Sequence, residues 1–275
     1  MKPTITFIGG GNMALAMVSG LLRSGHPPNK LRVADPDAAQ RREARLLAEI
    51  EVFERNADAV AGAHTVVLAV KPHLIIPVCR ELTEAIAEHE SVVLSIAAGV
   101  TLGTLAESLR GHTRLVRMMP NTPALVGRGA CGLYAGPAVS QSDRQHIEEL
   151  ARAFGKAIWV DAEDGLHNIT AISGSGPAYF FLFMQHLEAC AIELGLSESD
   201  AGLLVRETAA GAAAMAETAD FSLAELRRQV TSPGGTTQAA IAAFDAAHLD
   251  KIIGHAVQAA RQRSVELASP KSEND

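Results

Sequence analysis

Six short segments of this chain carry residue types at spacings that can do chemistry. The first is Gly9-Gly10-Gly11-Asn12-Met13-Ala14, which fits the GxGxxA spacing of a dinucleotide-binding turn. It follows an apolar run and opens an amphipathic one, the strand–turn–helix context that the motif needs. Gly9 would permit the tight turn, and Gly11 would let the backbone approach a pyrophosphate. Ala14 is small enough for close helix–strand contact. The helix start would present free N–H groups and the positive end of its dipole to the phosphates. Asp35 follows 24 residues after Gly11 and ends the second predicted strand. An acidic residue there bonds the adenosine ribose 2′-hydroxyl and favours NAD. Arg41 and Arg42 begin the next helix and offer cations to the 2′-phosphate of NADP, so the two signals point in opposite directions.

Three further segments follow predicted strands, at the carboxyl edge where α/β sheets bind ligands. They are Ala69-Val70-Lys71-Pro72, Ala97-Ala98-Gly99 and Arg117-Met118-Met119-Pro120-Asn121-Thr122-Pro123. Small and polar residues at three strand ends would form the floor and wall of a nicotinamide pocket. Lys71 also fits a plain edge lysine, and Asn121 a turn former between prolines. Ser173-Gly174-Ser175-Gly176-Pro177-Ala178 precedes an apolar helix, with Pro177 suited to its first turn. Last comes Thr231-Ser232-Pro233-Gly234-Gly235-Thr236-Thr237. It offers backbone N–H groups and several hydroxyls at a helix start, an arrangement made for a carboxylate.

The elements that must position these residues change character along the chain. Up to residue 160, β-branched runs alternate with helical patterns. Strands are predicted at 4–8, 31–34, 65–70, 92–96, 114–118, 132–134 and 157–160. Such alternation predicts an α/β domain built on a doubly wound, Rossmann-type sheet. From Asp161 onward only helices are predicted, at about 163–172, 177–194, 198–218, 222–229, 236–244 and 248–267. The expected organisation is a dinucleotide-binding domain over 1–161, an all-α dimerisation and substrate domain over 162–268, and a disordered polar tail over 269–275.

Composition excludes other classes. The 275 residues are 48% hydrophobic and 20% charged, too apolar for a disordered chain. The net charge of −7, with scattered basic residues, argues against a nucleic-acid partner. Aromatics make up only 4%, so the aliphatics carry the hydrophobic share, and alanine dominates the C-terminal half. Three cysteines without short spacing fit neither a disulfide framework nor a CxxC metal site. No metal is expected. No run approaches the ~20 apolar residues of a membrane span, and the start lacks a signal-peptide pattern. The expectation is a soluble, cytoplasmic protein with no membrane partner.

Taken in order, these segments resemble the pyrroline-5-carboxylate reductases over nearly the whole chain. The Ser-Pro-Gly-Gly-Thr-Thr block at 232–237 is the most family-specific of them. The resemblance implies reduction of a cyclic imine to L-proline with NADP(H), NAD(H) being the alternative cofactor. It implies a dimer, which in the family often assembles further into a ring of five dimers. It assigns the cofactor to Gly9, Gly10, Gly11, Asn12, Met13, Ala14, Asn56, Ala69, Val70, Lys71, Pro72, Ala97, Ala98 and Gly99, beside Asp35 and Asn121. It assigns the substrate to Ser232, Gly234, Gly235, Thr236, Thr237 and Glu217, with the Thr237 hydroxyl as the catalytic group near the ring nitrogen. Where many family members have Asn-Arg or Ser-Arg, this chain has Asp35-Pro36, a departure that bears on cofactor choice.

The chemistry needs little acid–base machinery, because a pyrroline nitrogen is basic enough to carry its own proton. The enzyme has to place the electrophilic carbon about 3–3.5 Å from the nicotinamide and exclude water. A hydroxyacid-type Rossmann dehydrogenase would instead need a lysine and an asparagine in its helical part for acid–base work. No lysine occurs between Asp161 and Leu249. A dinucleotide-sensing protein without activity would have no use for the hydroxyls at 231–237.

Overall fold

The computed structural model describes residues 2–269. Two compact units emerge, one of residues 2–175 with 260–269, the other Gly176–Ala259. The predicted tail lies outside the described residues except for Ser269.

The first unit carries eight strands, β1 (Ile5–Ile8), β2 (Leu31–Ala34), β3 (Glu51–Phe53), β4 (Thr65–Leu68), β5 (Val92–Ser95), β6 (Leu115–Met119), β7 (Gly129–Ala135) and β8 (Gly155–Trp159). They form one sheet in the order β3-β2-β1-β4-β5-β6-β7-β8. β1 to β6 are parallel, β7 runs antiparallel to β6, and β8 is parallel to β7. β1, β4 and β5 are buried at every position, as expected of parallel strands covered on both faces.

The helices of this unit are α1 (Asn12–Arg23), α2 (Ala38–Leu47), α3 (Asn56–Val60), α4 (Ile75–Glu88), α5 (Leu102–Ser108), α6 (Gln141–Arg152) and α7 (Gly165–Ile169). Alternate strand residues feed two separate cores. Ile5 and Phe7 of β1 join Met17 and Val18 of α1 and Ile147 and Leu150 of α6. Ile8 joins Val60 of α3, Leu82 and Ile86 of α4 and Leu105 of α5. The period-2 alternation of side chains thus commits helices to both faces of the sheet. β3 and α3 were not predicted. β3 is a three-residue strand paired only to β2, with Glu51 exposed, too short to show a periodicity.

The second unit holds α8 (Gly176–Glu193), α9 (Glu198–Thr218), α10 (Leu223–Gln229), α11 (Thr236–Ala246) and the first half of α12 (Leu249–Ala268). The remainder of α12 belongs to the first unit. Ala201 and Gly202 are buried in α9, and a Cβ on Gly202 would come within 3.1 Å of Glu188 Oε1 on α8. Phe183 of α8 faces Phe244 of α11, ring centroids 6.1 Å apart. Phe180, Phe181, Leu203, Leu204 and Met215 remain more than half exposed. Apolar residues that a single chain leaves open in this way mark an interaction surface. No helix among the described residues is long and apolar enough to cross a membrane.

Candidate active site

The residues of the glycine turn have different tasks. Gly9 adopts φ +98°, and a Cβ there would fall 2.9 Å from the carbonyl carbon and oxygen of Ala69. Only glycine fits where β1 leaves the sheet beside the end of β4. The Gly9 N–H donates to the Ala34 carbonyl at 2.8 Å and the Ala69 N–H to Ile8 at 2.8 Å, so three strand ends are held level. The Gly10 N–H donates to Asp35 Oδ2 at 2.7 Å. Gly11 differs from both, since a Cβ there would meet no atom within 4 Å. Packing does not require glycine at Gly11, and the space above it is open.

That space is a cavity of about 360 Å³ in the first unit, lined by Gly11, Asn12, Met13, Ala69, Val70, Lys71, Pro72, Ile96, Ala97, Ala98, Met119 and Pro120. The predicted turn and all three predicted strand ends therefore meet in one place. α1 opens on Gly11 with no capping side chain. By contrast α2, α5 and α6 open on Asp37, Thr101 and Ser140, each of which caps its helix. The uncapped amides at the start of α1 face no protein acceptor and suit a phosphate. The glycine without contacts, the uncapped helix and the apolar walls fit a dinucleotide.

Several other predicted residues also make contacts within the protein. Asn121 is 8% exposed. Its Nδ2 donates to the Ser173 carbonyl at 2.9 Å, and its Oδ1 accepts from the Ala130 N–H at 2.9 Å. Its amide thus ties the Met119–Pro123 loop to β7 and to the segment before α8. Asn56 Nδ2 donates to Glu81 Oε2 at 3.1 Å. Lys71 is exposed at the cavity rim. Gly99 has φ +75°, and a Cβ would fall 2.7 Å from the Leu267 carbonyl oxygen. The last turn of α12 therefore abuts the Ala97–Gly99 wall, a contact between residues too distant in sequence to be read from it.

Sequence reading also missed Glu163. Its Oε1 accepts from Arg117 Nη1 at 2.8 Å and from the Leu102 N–H at 2.7 Å. This part-buried ion pair joins the middle of β6 to the start of α5. Among the described residues no group of three or more His, Cys, Asp or Glu could hold a metal. Five histidines with lowered pKa, His26, His64, His112, His146 and His167, are absent from the cavity lining. His64 and His146 both contact Thr65 Oγ1, at the opposite end of β4.

In the second unit, the segment before α11 forms another uncapped helix start that opens on glycine. Gly235 precedes the helix and supplies no capping side chain. Gly234 lies at φ +72°, its N–H donating to Gln238 Oε1 at 2.5 Å, while the Gly235 N–H donates to the Ser232 carbonyl at 3.0 Å. The amides of Gly234 and Gly235 are thus engaged internally. The amides of Thr236 and Thr237 occupy the first turn, where a helix offers no internal acceptor. Ser232, Thr236 and Thr237 are exposed, and Glu217 lies exposed in the last turn of α9.

A sheet ordered 3-2-1-4-5-6 through its parallel strands, with a glycine turn under an open cavity at its carboxyl edge, defines a nicotinamide-dinucleotide oxidoreductase. Residues 4–99 match the family described as NADP oxidoreductase, coenzyme F420-dependent, and residues 163–267 match pyrroline-5-carboxylate reductase dimerisation. The chain is 47% identical to the pyrroline-5-carboxylate reductase of Pseudomonas aeruginosa, over 97% of both proteins. It is 37% identical to that of Pisum sativum, over 96% of both. The solved structure of the Coxiella burnetii reductase superposes with a TM-score of 0.94 at 41% identity, covering 98% of this chain and 100% of that one. The Plasmodium falciparum pyrroline carboxylate reductase, solved with NADP bound, superposes at 0.85 with 25% identity, covering 98% of this chain and 100% of that one. The chain belongs to the pyrroline-5-carboxylate reductase family. It is an NAD(P)H-dependent oxidoreductase that reduces pyrroline-5-carboxylate to L-proline, and it carries that family's dimerisation domain.

Proposed function

We propose that two helix starts that open on glycine, those of α1 and α11, divide the work of this reduction. The start of α1, with Gly9 to Ala14, takes the pyrophosphate of the cofactor. The Ala69–Pro72 and Ala97–Gly99 walls take the remainder of the dinucleotide. The start of α11 takes the substrate carboxylate on the amides of Thr236 and Thr237, with the hydroxyls of Ser232 and Thr236 beside them. Glu217 belongs to the same substrate region. The observation that carries the reading is the contrast in capping. The helices α2, α5, α6, α9 and α10 open on Ser, Thr or Asp and are closed by those side chains, whereas α1 and α11 open on glycine and stay available to an anion.

Bound NAD(P)H supplies a hydride to the imine carbon. The chain's own residues hold and orient the acceptor. Hydride addition at C5 pushes the C=N π pair onto the ring nitrogen, which retains its proton as the amine of proline. The Thr237 hydroxyl accepts a hydrogen bond from that N–H and so fixes the face of the ring presented for reduction. No strong acid is required, consistent with a cavity whose lining contains no histidine or carboxylate.

Thr237→Ala tests the role directly. Expected is a fall in kcat of about 10- to 100-fold, the span of a lost orienting contact, with the Kd for NADPH changed less than about threefold. Wild-type kcat in this variant would remove Thr237 from the mechanism. Assembly through the helical domain is proposed to give a dimer and, beyond it, a decamer of five dimers. Cys79 and Cys131 are buried free thiols with pKa pushed up by burial to about 11 and about 12. Unpaired thiols support a cytoplasmic location.

A further inference from the structure

The Ala97–Gly99 wall belongs to no helix or strand, so its position depends on what holds it from either side. At its near end the Ala97 N–H donates to Ser95 Oγ, the last residue of β5, at 3.3 Å. Beyond its far end the Leu102 N–H, the first of α5, donates to Glu163 Oε1 at 2.7 Å. The same oxygen accepts from Arg117 Nη1 at 2.8 Å. Arg117 stands in β6 with its side chain only 7% exposed. The sheet thus fixes the guanidinium, and the guanidinium fixes the carboxylate. Gly99, in the middle, abuts the Leu267 carbonyl of α12. That end of α12 is held by α7, through His167 Nδ1 and Ser264 Oγ at 2.8 Å and through Asn168 Oδ1, which accepts from Arg261 Nε at 2.7 Å. One short stretch, residues 163–168, therefore braces the wall at two points, and none of its residues lines the cavity.

We propose that Glu163 is a positioning residue for the reduction. Held by Arg117, its Oε1 anchors the start of α5 and so fixes how far the Ala97–Gly99 wall stands from the α1 turn. That spacing sets where the nicotinamide lies. The inference rests on the proposed placement of the dinucleotide between these walls. Hydride transfer needs its reacting atoms within about 3–3.5 Å, and a misplacement of about 1 Å can cost about 100-fold in rate. In this role the location of the oxygen matters more than its charge. An ion pair serving stability alone makes the opposite demand, because a nearly buried guanidinium needs a counter-charge. Two substitutions separate the demands. Glu163→Gln keeps an oxygen at the same reach and removes the charge. Glu163→Asp keeps the charge but, one methylene shorter, draws it back from the Leu102 N–H.

The test is steady-state imine reduction with NADPH by the full chain, with melting temperatures taken on the same preparations. Glu163→Asp is expected to lower kcat about 10- to 100-fold, while its melting temperature stays nearer to wild type. Glu163→Gln is expected to melt lower yet keep kcat within about threefold, because a neutral oxygen still accepts both N–H groups. The Kd of 2′-phospho-ADP-ribose is expected to stay within about twofold in both, since that fragment has no nicotinamide to misplace. If kcat instead follows melting temperature, with Glu163→Gln losing more activity than Glu163→Asp, Glu163 is a structural ion-pair partner and the proposal is overturned. Wild-type kcat in Glu163→Asp overturns it as well, and leaves the dinucleotide placement intact. A wild-type chain that binds no NADPH removes that placement, and the proposal falls with it.

Discussion

Gly9 and Gly11 stand two positions apart and are glycine for unrelated reasons. Gly9 answers to the protein, through its positive φ and the Ala69 backbone 2.9 Å from any Cβ. A Cβ on Gly11 would meet no protein atom within 4 Å, and in the proposed function that room is left for the cofactor. Gly9→Ala should cost about 2–3 kcal/mol of stability, from left-handed backbone strain and the clash together. Gly11→Ala should leave stability within about 1 kcal/mol while weakening NADPH binding tenfold or more. Thermal melts with and without cofactor separate the two, and equal loss of stability in both variants would refute the distinction. The spacing of the motif is legible in sequence, but this division of labour is not, because it depends on what lies opposite each Cα. Asn121 and Asp35 give the same lesson. Their types mark them as polar residues at strand ends, yet their partners, Ser173 and Ala130 for one and Gly10 and Asp37 for the other, come from folding.

Among the elements, the buried parallel strands were the most legible, because runs such as Thr-Val-Val-Leu in β4 are apolar at nearly every position. β3 and α3 escaped, being three and five residues long. The packing of α6 against β4 was equally hidden. It brings His146 to Thr65 Oγ1 at 3.2 Å and sets its ring across that of His64 at 5.1 Å between centroids. Burial, then the nearby His64 and His26, lowers the His146 pKa to about 4. The folded protein thus keeps His146 neutral where the unfolded chain would take a proton, near pH 6.5. Stability from this residue is complete above about pH 6.5 and is lost as pH falls toward about 4. The melting temperature should drop across that window, and His146→Gln should flatten the drop. An identical pH profile in the variant would show that His146 does not contribute.

For the whole molecule, the alanine-rich composition acquires a place. Seven of the eleven residues in Ala209–Ala219 are alanine, and Ala213 and Ala214 are exposed in the single chain. They lie within the matched dimerisation region, where small side chains let helices approach. The net charge of −7 means that an anionic cofactor and an anionic substrate meet an unfavourable overall field. In the proposed function, the amides of the two glycine-started helices offset that field without adding charge. One reaction tests the assigned activity most directly. Purified full-length protein, given L-pyrroline-5-carboxylate and NADH or NADPH, should oxidise the nicotinamide and form L-proline in equal amounts, followed by absorbance and by amino-acid analysis. No cofactor oxidation with this imine at any pH from mildly acidic to alkaline would contradict it.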